Sequence, residues 1–259
     1  MTEVVSAPAH WRTIDFISDL HLQASQPATF AAWQHYMAHT PADALFILGD
    51  LFEVWVGDDI VNMATDPEAA FARQCQAILN ATAQRLPIYF MHGNRDFLLG
   101  ARFAQACGMT LLPDPSVLDF SNQRWLLSHG DELCTGDVDY QQFRQQVRSS
   151  TWQTSFLSKP LSERQTIAHS LRTQSESRKS SGASYADVDE PMALQWLSQT
   201  QTTTLIHGHT HHPADHHLGT VQGQTLRRMV LSDWDAQAFP PRLEVLRLTR
   251  NTPPERLRV

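Results

Sequence analysis

Two hydrophobic patterns alternate along the first half of the chain. In one, nearly every position of a short run is apolar or β-branched, as in residues 13–18 (TIDFIS), 44–48 (ALFIL) and 87–91 (PIYFM). Runs of that length without a polar face predict strands buried on both sides. In the other, apolar residues recur at three- and four-residue spacing: Phe30, Trp33 and Met37 within 29–39, then a longer stretch over 67–85 that opens on Pro67. That spacing predicts helices. A short helix over 100–108 closes on Gly108, and further strands are expected at 125–128, 203–206, 229–231 and 243–248. Strands alternating with helices predict a layered α/β fold.

Between residues 137 and 199 the strand pattern stops. Helical spacings replace it: Tyr140, Phe143 and Val147, then Ile167 and Leu171, then Met192 and Trp196. The expected organisation is therefore a core formed by 1–136 and 200–259, interrupted by a helical cap over 137–199. Charge sharpens this. The chain as a whole is −7, yet residues 141–182 hold seven Lys or Arg against two Glu, a local +5. Such a run is either a solvated helical face or an anion-facing cap; the reversal of sign favours the cap. The acidic whole argues against a polyanion partner, so no nucleic-acid binding is expected.

Three cysteines, with no C-x-x-C pair, do not make a disulfide framework and suit a reducing cytoplasm. The start, MTEVVSAPAHW, lacks the basic and apolar regions of a signal peptide. No run approaches the ~20 apolar residues of a membrane span, so any membrane contact is expected to be peripheral.

The chain has 13 histidines, six of them between His207 and His217. Position separates them. Polar clusters follow five predicted strands: Asp19-Leu-His21, Gly49-Asp50, His92-Gly-Asn94-Arg95-Asp96, His129-Gly-Asp131 and His207-Gly-His209-Thr-His211. Ligands of open α/β sheets gather at the carboxyl ends of strands, so the five clusters should converge. Carboxylate, imidazole and amide oxygen suit Mn²⁺, Fe²⁺ or Zn²⁺. In an extended segment, alternate residues share a face, which pairs Asp19 with His21 and His207 with His209. A single D-x-H or G-D is a weak signal; all five in order are a strong one.

This order resembles the calcineurin-like metallophosphoesterases, and within them the UDP-2,3-diacylglucosamine pyrophosphohydrolases of lipid A synthesis. The matching segments are ISDLHL (17–22), LGDLFEVWVGDD (48–59), HGNRDFLLG (92–100), SHGDELCT (128–135) and IHGHTHHPA (206–214). The resemblance implies a four-layer α-β-β-α sandwich around two Mn²⁺, other divalent ions being possible. It implies Asp19, His21 and His209 on the first metal, Asn94, His129 and His207 on the second, and Asp50 bridging. Asn94 and Arg95 would serve the reacting phosphate, with Asp137, Ser175, Lys179 and His207 as substrate contacts; Asp137 reads equally as a helix cap. Gly182 departs from the pattern, where enteric forms carry lysine.

Arg95 stands where many of these enzymes have a histidine that protonates the leaving group. A guanidinium keeps its proton, which implies a leaving group needing little help, such as a phosphate. Water attack on the α-phosphorus of UDP-2,3-diacylglucosamine would then give UMP and 2,3-diacylglucosamine 1-phosphate, on the cytoplasmic face of the inner membrane. Trp152, Phe156, Leu157, Leu161, Ile167 and Leu171 would line an acyl site or form the cap's own core. His92 and Asp96 would orient their loop, and Asp131 would hold a ligand histidine. His211, His212, His216 and His217 fall outside the seven positions and read as surface or supporting residues. Glu53, Trp55, Asp58 and Asp59 would shape the pocket wall. Two other readings remain: a pyrophosphatase or phosphodiesterase acting on soluble nucleotides, and a non-catalytic scaffold, which usually loses metal ligands.

Overall fold

Residues that are apolar at every position of a run must be covered on both faces, and the chain does this with four layers. A computed structural model describes residues 2–64, 66–180 and 187–259, leaving the side chains of 174–180 outside the description. In chain order the elements are β1 (Glu3–Ser6), β2 (Thr13–Ile17), α1 (Pro27–His39), β3 (Ala44–Leu48), α2 (Pro67–Ala83), β4 (Ile88–Met91), α3 (Ala101–Cys107), β5 (Met109–Leu112), β6 (Ser116–Phe120) and β7 (Gln123–Leu127). They continue with α4 (Val138–Val147), α5 (Ser150–Leu157), α6 (Leu161–Ser180), α7 (Glu190–Thr200), β8 (Thr204–His207), β9 (Ala214–Val221), β10 (Gln224–Val230), β11 (Glu244–Thr249) and β12 (Glu255–Arg258).

The strands form two six-stranded sheets, ordered β1-β6-β7-β8-β10-β9 and β12-β11-β2-β3-β4-β5. Period two assigns the faces. Along β3, Ala44, Phe46 and Leu48 point between the sheets, while Leu45 and Ile47 point at the helices. The inter-sheet layer adds Phe16, Phe120, Trp125 and Ile206. One outer layer packs Trp33, Met37, Leu79 and Phe103 of α1–α3 onto the second sheet. The other packs Ala193 and Leu197 of α7 onto Val117, Leu126 and Leu205 of the first. The expected 137–199 insertion therefore divides: α7 is an outer layer of the sandwich, and α4–α6 lie elsewhere, over the site.

Local chemistry sets the element ends. Asp66 caps α2 by accepting from Glu68 N and Ala69 N at 2.7 and 3.2 Å, with Pro67 following. Asp189 caps α7 through Met192 N at 2.8 Å. Ser121 and Asn122, both left-handed (φ 55° and 61°), turn β6 into β7, as a two-residue hairpin requires. The strands β1, β5, β6, β9 and β12 go beyond the sequence reading. Three of these, β1, β9 and β12, sit at sheet edges or largely in solvent, so no apolar run marks them.

Strands β2, β3 and β4 are parallel, as are β7 and β8. Their carboxyl ends meet at one end of the sandwich. Cys75, Cys107 and Cys134 are all buried and free. Among the described residues no helix is long and apolar enough to cross a membrane.

Candidate metal centre

Where the strands stop, the backbone turns sharply. Asp19, His21, Asp50, His209 and His211 all adopt left-handed conformations, with φ between 48° and 69°. Residues other than glycine rarely do so, and such strain gathers at functional sites. It is held by close packing. A Cβ on Gly93 would collide with the Asp50 carboxylate, and one on Gly208 with Asp19 and Ser18. Asp96 fixes the Asp50 loop by accepting from Leu51 N at 2.7 Å and Gly93 N at 2.9 Å. Burial, aided by Asp50, pushes the Asp96 carboxyl up to about 7.

The side chains converge as two groups. Asp19, His21 and His211 bring donor atoms within 4.8 Å of one another, as do Asp19, Asp50 and His129. Asp50 Oδ2 stands 3.9 Å from His21 Nε2 and 3.8 Å from His129 Nε2, between the two histidines. Its other oxygen accepts from Arg95 N at 2.8 Å. Asn94 Oδ1 lies 3.0 Å from His129 Nε2 and 2.8 Å from His209 Nδ1.

The pairing expected from period two shifts by two residues. His207 ends β8, and its Nδ1 contacts the Gly208 carbonyl at 2.8 Å, while Nε2 is enclosed without a partner. After Gly208 the chain is no longer extended. His209 turns to Asn94 and His129, and His211 Nε2 comes to 3.3 Å from Asp19 Oδ1 and 3.2 Å from His21 Nε2. His209 thus occupies the place expected of His207, and His211 that expected of His209. His211 is the functional residue the sequence reading missed.

The electrostatics suit a cation. Asp19 Oδ1 is buried without a hydrogen-bond donor. Burial works against the Asp19 charge, yet contact with His211 and the nearby His129 and His21 hold its carboxyl far below the ordinary range. Burial also works against a charged His129, but Asp50, Asp19 and Asp131 outweigh it and raise the imidazole to about 9. Burial takes His209 down to about 3 and His207 to about 4. Buried carboxylates facing imidazoles and an amide oxygen form a donor set fit for divalent ions.

The family model for calcineurin-like phosphoesterases matches residues 12–213, a span holding every residue of this cluster. The chain belongs to the calcineurin-like phosphoesterase family. It is similar to proteins named UDP-2,3-diacylglucosamine hydrolase. The one from Aeromonas hydrophila is 44% identical over 225 residues, covering 86% of this chain and 90% of that protein. The one from Escherichia coli O81 is 45% identical, with 86% and 91% covered. The one from Aromatoleum aromaticum is 44% identical over 231 residues, with 86% and 89% covered.

In this calcineurin-like phosphoesterase, α4–α6 roof the centre and enclose a cavity of about 1020 Å³. Its lining is mixed: polar Asn94, Arg95, Glu53, Asp137 and Arg172, and apolar Trp55, Phe97, Trp152, Phe156 and Leu171. Trp152 stacks on Phe156 with centroids 4.7 Å apart. Of the expected cap residues, Leu157 is exposed and Leu161 and Ile167 pack on the core instead. Asp137 both lines the cavity and caps α4, accepting from Tyr140 N at 3.1 Å. Ser175 and Lys179 lie on α6 with their side chains outside the description, and Gly182 lies outside the described residues.

Asp131 does not hold a ligand histidine. It accepts from Tyr140 Oη at 2.6 Å and Arg144 Nε at 2.8 Å, tying the roof to the core, and Tyr140 stacks on His209. His92 fixes its loop through the Leu99 carbonyl at 2.7 Å, and Asp58 accepts from Trp55 Nε1 and Gly100 N. His212 and His217 are exposed.

Proposed function

We infer that this protein hydrolyses UDP-2,3-diacylglucosamine to UMP and 2,3-diacylglucosamine 1-phosphate, a step of lipid A synthesis. What carries the reading is a cavity that Asn94 and Arg95 share with the metal cluster and whose wall includes Trp55, Phe97, Trp152 and Phe156, apolar surface that an acyl chain can cover. Its volume of about 1020 Å³ is at the upper end of small-molecule sites, ~300–1,000 Å³, as an amphipathic substrate needs. Relatives 44–45% identical, matched over 90–91% of their own length, bear that substrate in their names.

The residues divide the work as follows. Asp19, His21, Asp50 and His211 would hold one ion and Asp50, Asn94, His129 and His209 the other, Mn²⁺ being the proposed metal. When bound, two such ions would supply an acidified water and positive charge for the phosphoryl oxygens. Water attacks the α-phosphorus, and the bond to the bridging oxygen breaks. Arg95, fixed by its own N–H on Asp50, is placed to brace the equatorial oxygens. The departing sugar phosphate is a stable anion, so a guanidinium suffices where an alkoxide would need a proton donor. Asp137 and Arg172 line the cavity and would contact the substrate.

Exposed Val54, Val138 and Leu171 rim this mouth. Beside a basic roof they suit peripheral contact with the cytoplasmic face of the inner membrane, which co-sedimentation with anionic vesicles tests. For the activity, chelator-stripped protein is given Mn²⁺ and assayed for UMP release from UDP-2,3-diacylglucosamine and from unacylated UDP-N-acetylglucosamine. Metal-dependent turnover of the acylated substrate alone is expected. Equal turnover of both would remove the lipid assignment and favour the soluble-nucleotide reading.

A further inference from the structure

Glu53 lies three residues beyond Asp50, on the wall between the cluster and the roof. Its side chain is 12% exposed and touches three groups of different kinds. Oε2 is 2.9 Å from His21 Nδ1, within ion-pair reach but without the alignment of a hydrogen bond. Oε1 is 3.6 Å from Arg95 Nη1 and 3.3 Å from Arg172 Nε of α6. One carboxylate thus joins a candidate metal ligand, the arginine that faces the reacting phosphate, and the roof helix.

We propose that Glu53 is a positioning residue of the centre, which turns His21 Nε2 towards one ion and holds Arg95 and Arg172 in the wall of the cavity. The inference rests on the reading of the cluster as a two-ion centre. Its first half follows from tautomer chemistry. An imidazole bound through Nε2 carries its proton on Nδ1 and needs an acceptor there; a carboxylate fixes that tautomer and the ring plane and makes the nitrogen more basic. His21 Nε2 is the nitrogen that faces Asp19, Asp50 and His211. The second half follows from charge. Two guanidiniums converging on one phosphate site repel each other, and a carboxylate between them offsets that repulsion. Glu53 thereby stands between the ion site and the roof.

Ion binding tests this independently of the substrate. Mn²⁺ is titrated calorimetrically into metal-free wild type, E53A, E53Q and R172A, with folding followed by circular dichroism. Two ions are expected on wild type. E53A should weaken one of the two by about 10–100-fold and leave the other, the loss typical when a ligand histidine loses its carboxylate. E53Q keeps an acceptor for the Nδ1 proton and should lose only about three- to tenfold at the same ion. R172A should bind both ions as wild type does while raising KM for UDP-2,3-diacylglucosamine.

A selective loss at one ion supports the proposal, because a merely structural role would lower the melting temperature without discriminating between the ions. Wild-type affinities in E53A, or equal loss at both ions, overturn it; if E53A does not fold, wild-type affinities in E53Q do so. A wild type without two ions overturns the two-ion reading and this inference together. Two ions without cleavage of the acylated UDP-sugar refute the substrate reading alone, and a selective loss in E53A still supports the role of Glu53.

Discussion

Arg164 offers a direct measure of how firmly the roof is attached. It sits on α6 with its side chain 2% exposed and donates to the Val56 carbonyl at 2.5 Å, to the Lys159 carbonyl at 3.1 Å and to both oxygens of Asp59. Arg164→Ala removes all of these. Breaking a buried ion pair costs ~3–5 kcal/mol when the partner is left buried. Here the Asp59 side chain is 49% exposed and rehydrates, so its share shrinks towards that of a surface pair, ~0–1 kcal/mol. The Val56 carbonyl belongs to a buried residue and keeps the ~1–3 kcal/mol penalty of a polar group without its partner. The sum is about 1–4 kcal/mol. For a chain of 259 residues, at ~2–4 °C per kcal/mol, that is a fall of about 2–16 °C in melting temperature if roof and core unfold together. Gly57→Ala should copy the defect, since φ there is +127° and a Cβ would collide with the Arg164 guanidinium. Differential scanning calorimetry alongside KM for the acylated substrate is the assay. An Arg164→Ala protein that melts within a degree of wild type and keeps its KM refutes the reasoning.

Asp50→Ala should abolish metal-dependent hydrolysis, at least a thousandfold loss in kcat, with the fold retained in circular dichroism; an active variant would remove Asp50 from between the two ions. His211→Ala should lose one of two bound ions by elemental analysis, whereas His207→Ala should keep both; the reverse result would restore the pairing by period two. The metal-free protein should become less stable as pH rises from about 6.5 to about 9, because the raised pKa of His129 means its contribution is fully present below the unfolded value and lost through the folded one. Saturating Mn²⁺, which competes with that proton, should flatten or invert the slope in thermal melts at stepped pH. Trp152→Ala and Phe156→Ala should each raise KM for the acylated substrate about tenfold or more, the worth of a lost aromatic contact of ~1.5 kcal/mol, while leaving Mn²⁺ affinity unchanged. Unchanged KM in both would place the acyl chains elsewhere.

The parts of the fold that could be read from the chain are those whose side chains are buried on both faces. In β3 all five residues are buried, and in β8 all four, so their apolar runs declare them. The strand β9, with sequence ADHHLGTV, pairs only with β10, the next strand across a turn of left-handed Gln222 and Gly223, and buries one residue; its side chains are mostly polar and in solvent, so no apolar run announces it. The role of α7 was hidden for a related reason. Its spacing of Met192 and Trp196 marks a helix, but which sheet covers it depends on Val117, Leu126 and Leu205, residues whose meeting is a matter of topology.

The site shows the same division on a finer scale. Residue types and their order along the strand ends identified the donors, because few chemistries need Asp, His, Asn and His at successive strand ends. Which histidines face inward was a question of backbone angle, and there the extended-chain rule ran one turn too far. β8 stops at His207, Gly208 lets Asp19 and Ser18 come close, and left-handed His209 and His211 (φ 69° and 55°) point where a continuing strand would not. The G-H-T-H tetrad carried a usable signal: a glycine between two histidines is a place for period two to fail. Glu53 left a fainter one, an acid three residues past a candidate ligand in a stretch otherwise apolar. Its significance appears only when α6 brings Arg172 to it from 119 positions along the chain. The candidate ion site is thus written mostly in local sequence, while its link to the roof is written in tertiary contacts, which is why Arg164 and Glu53 are the positions where substitution should separate the two.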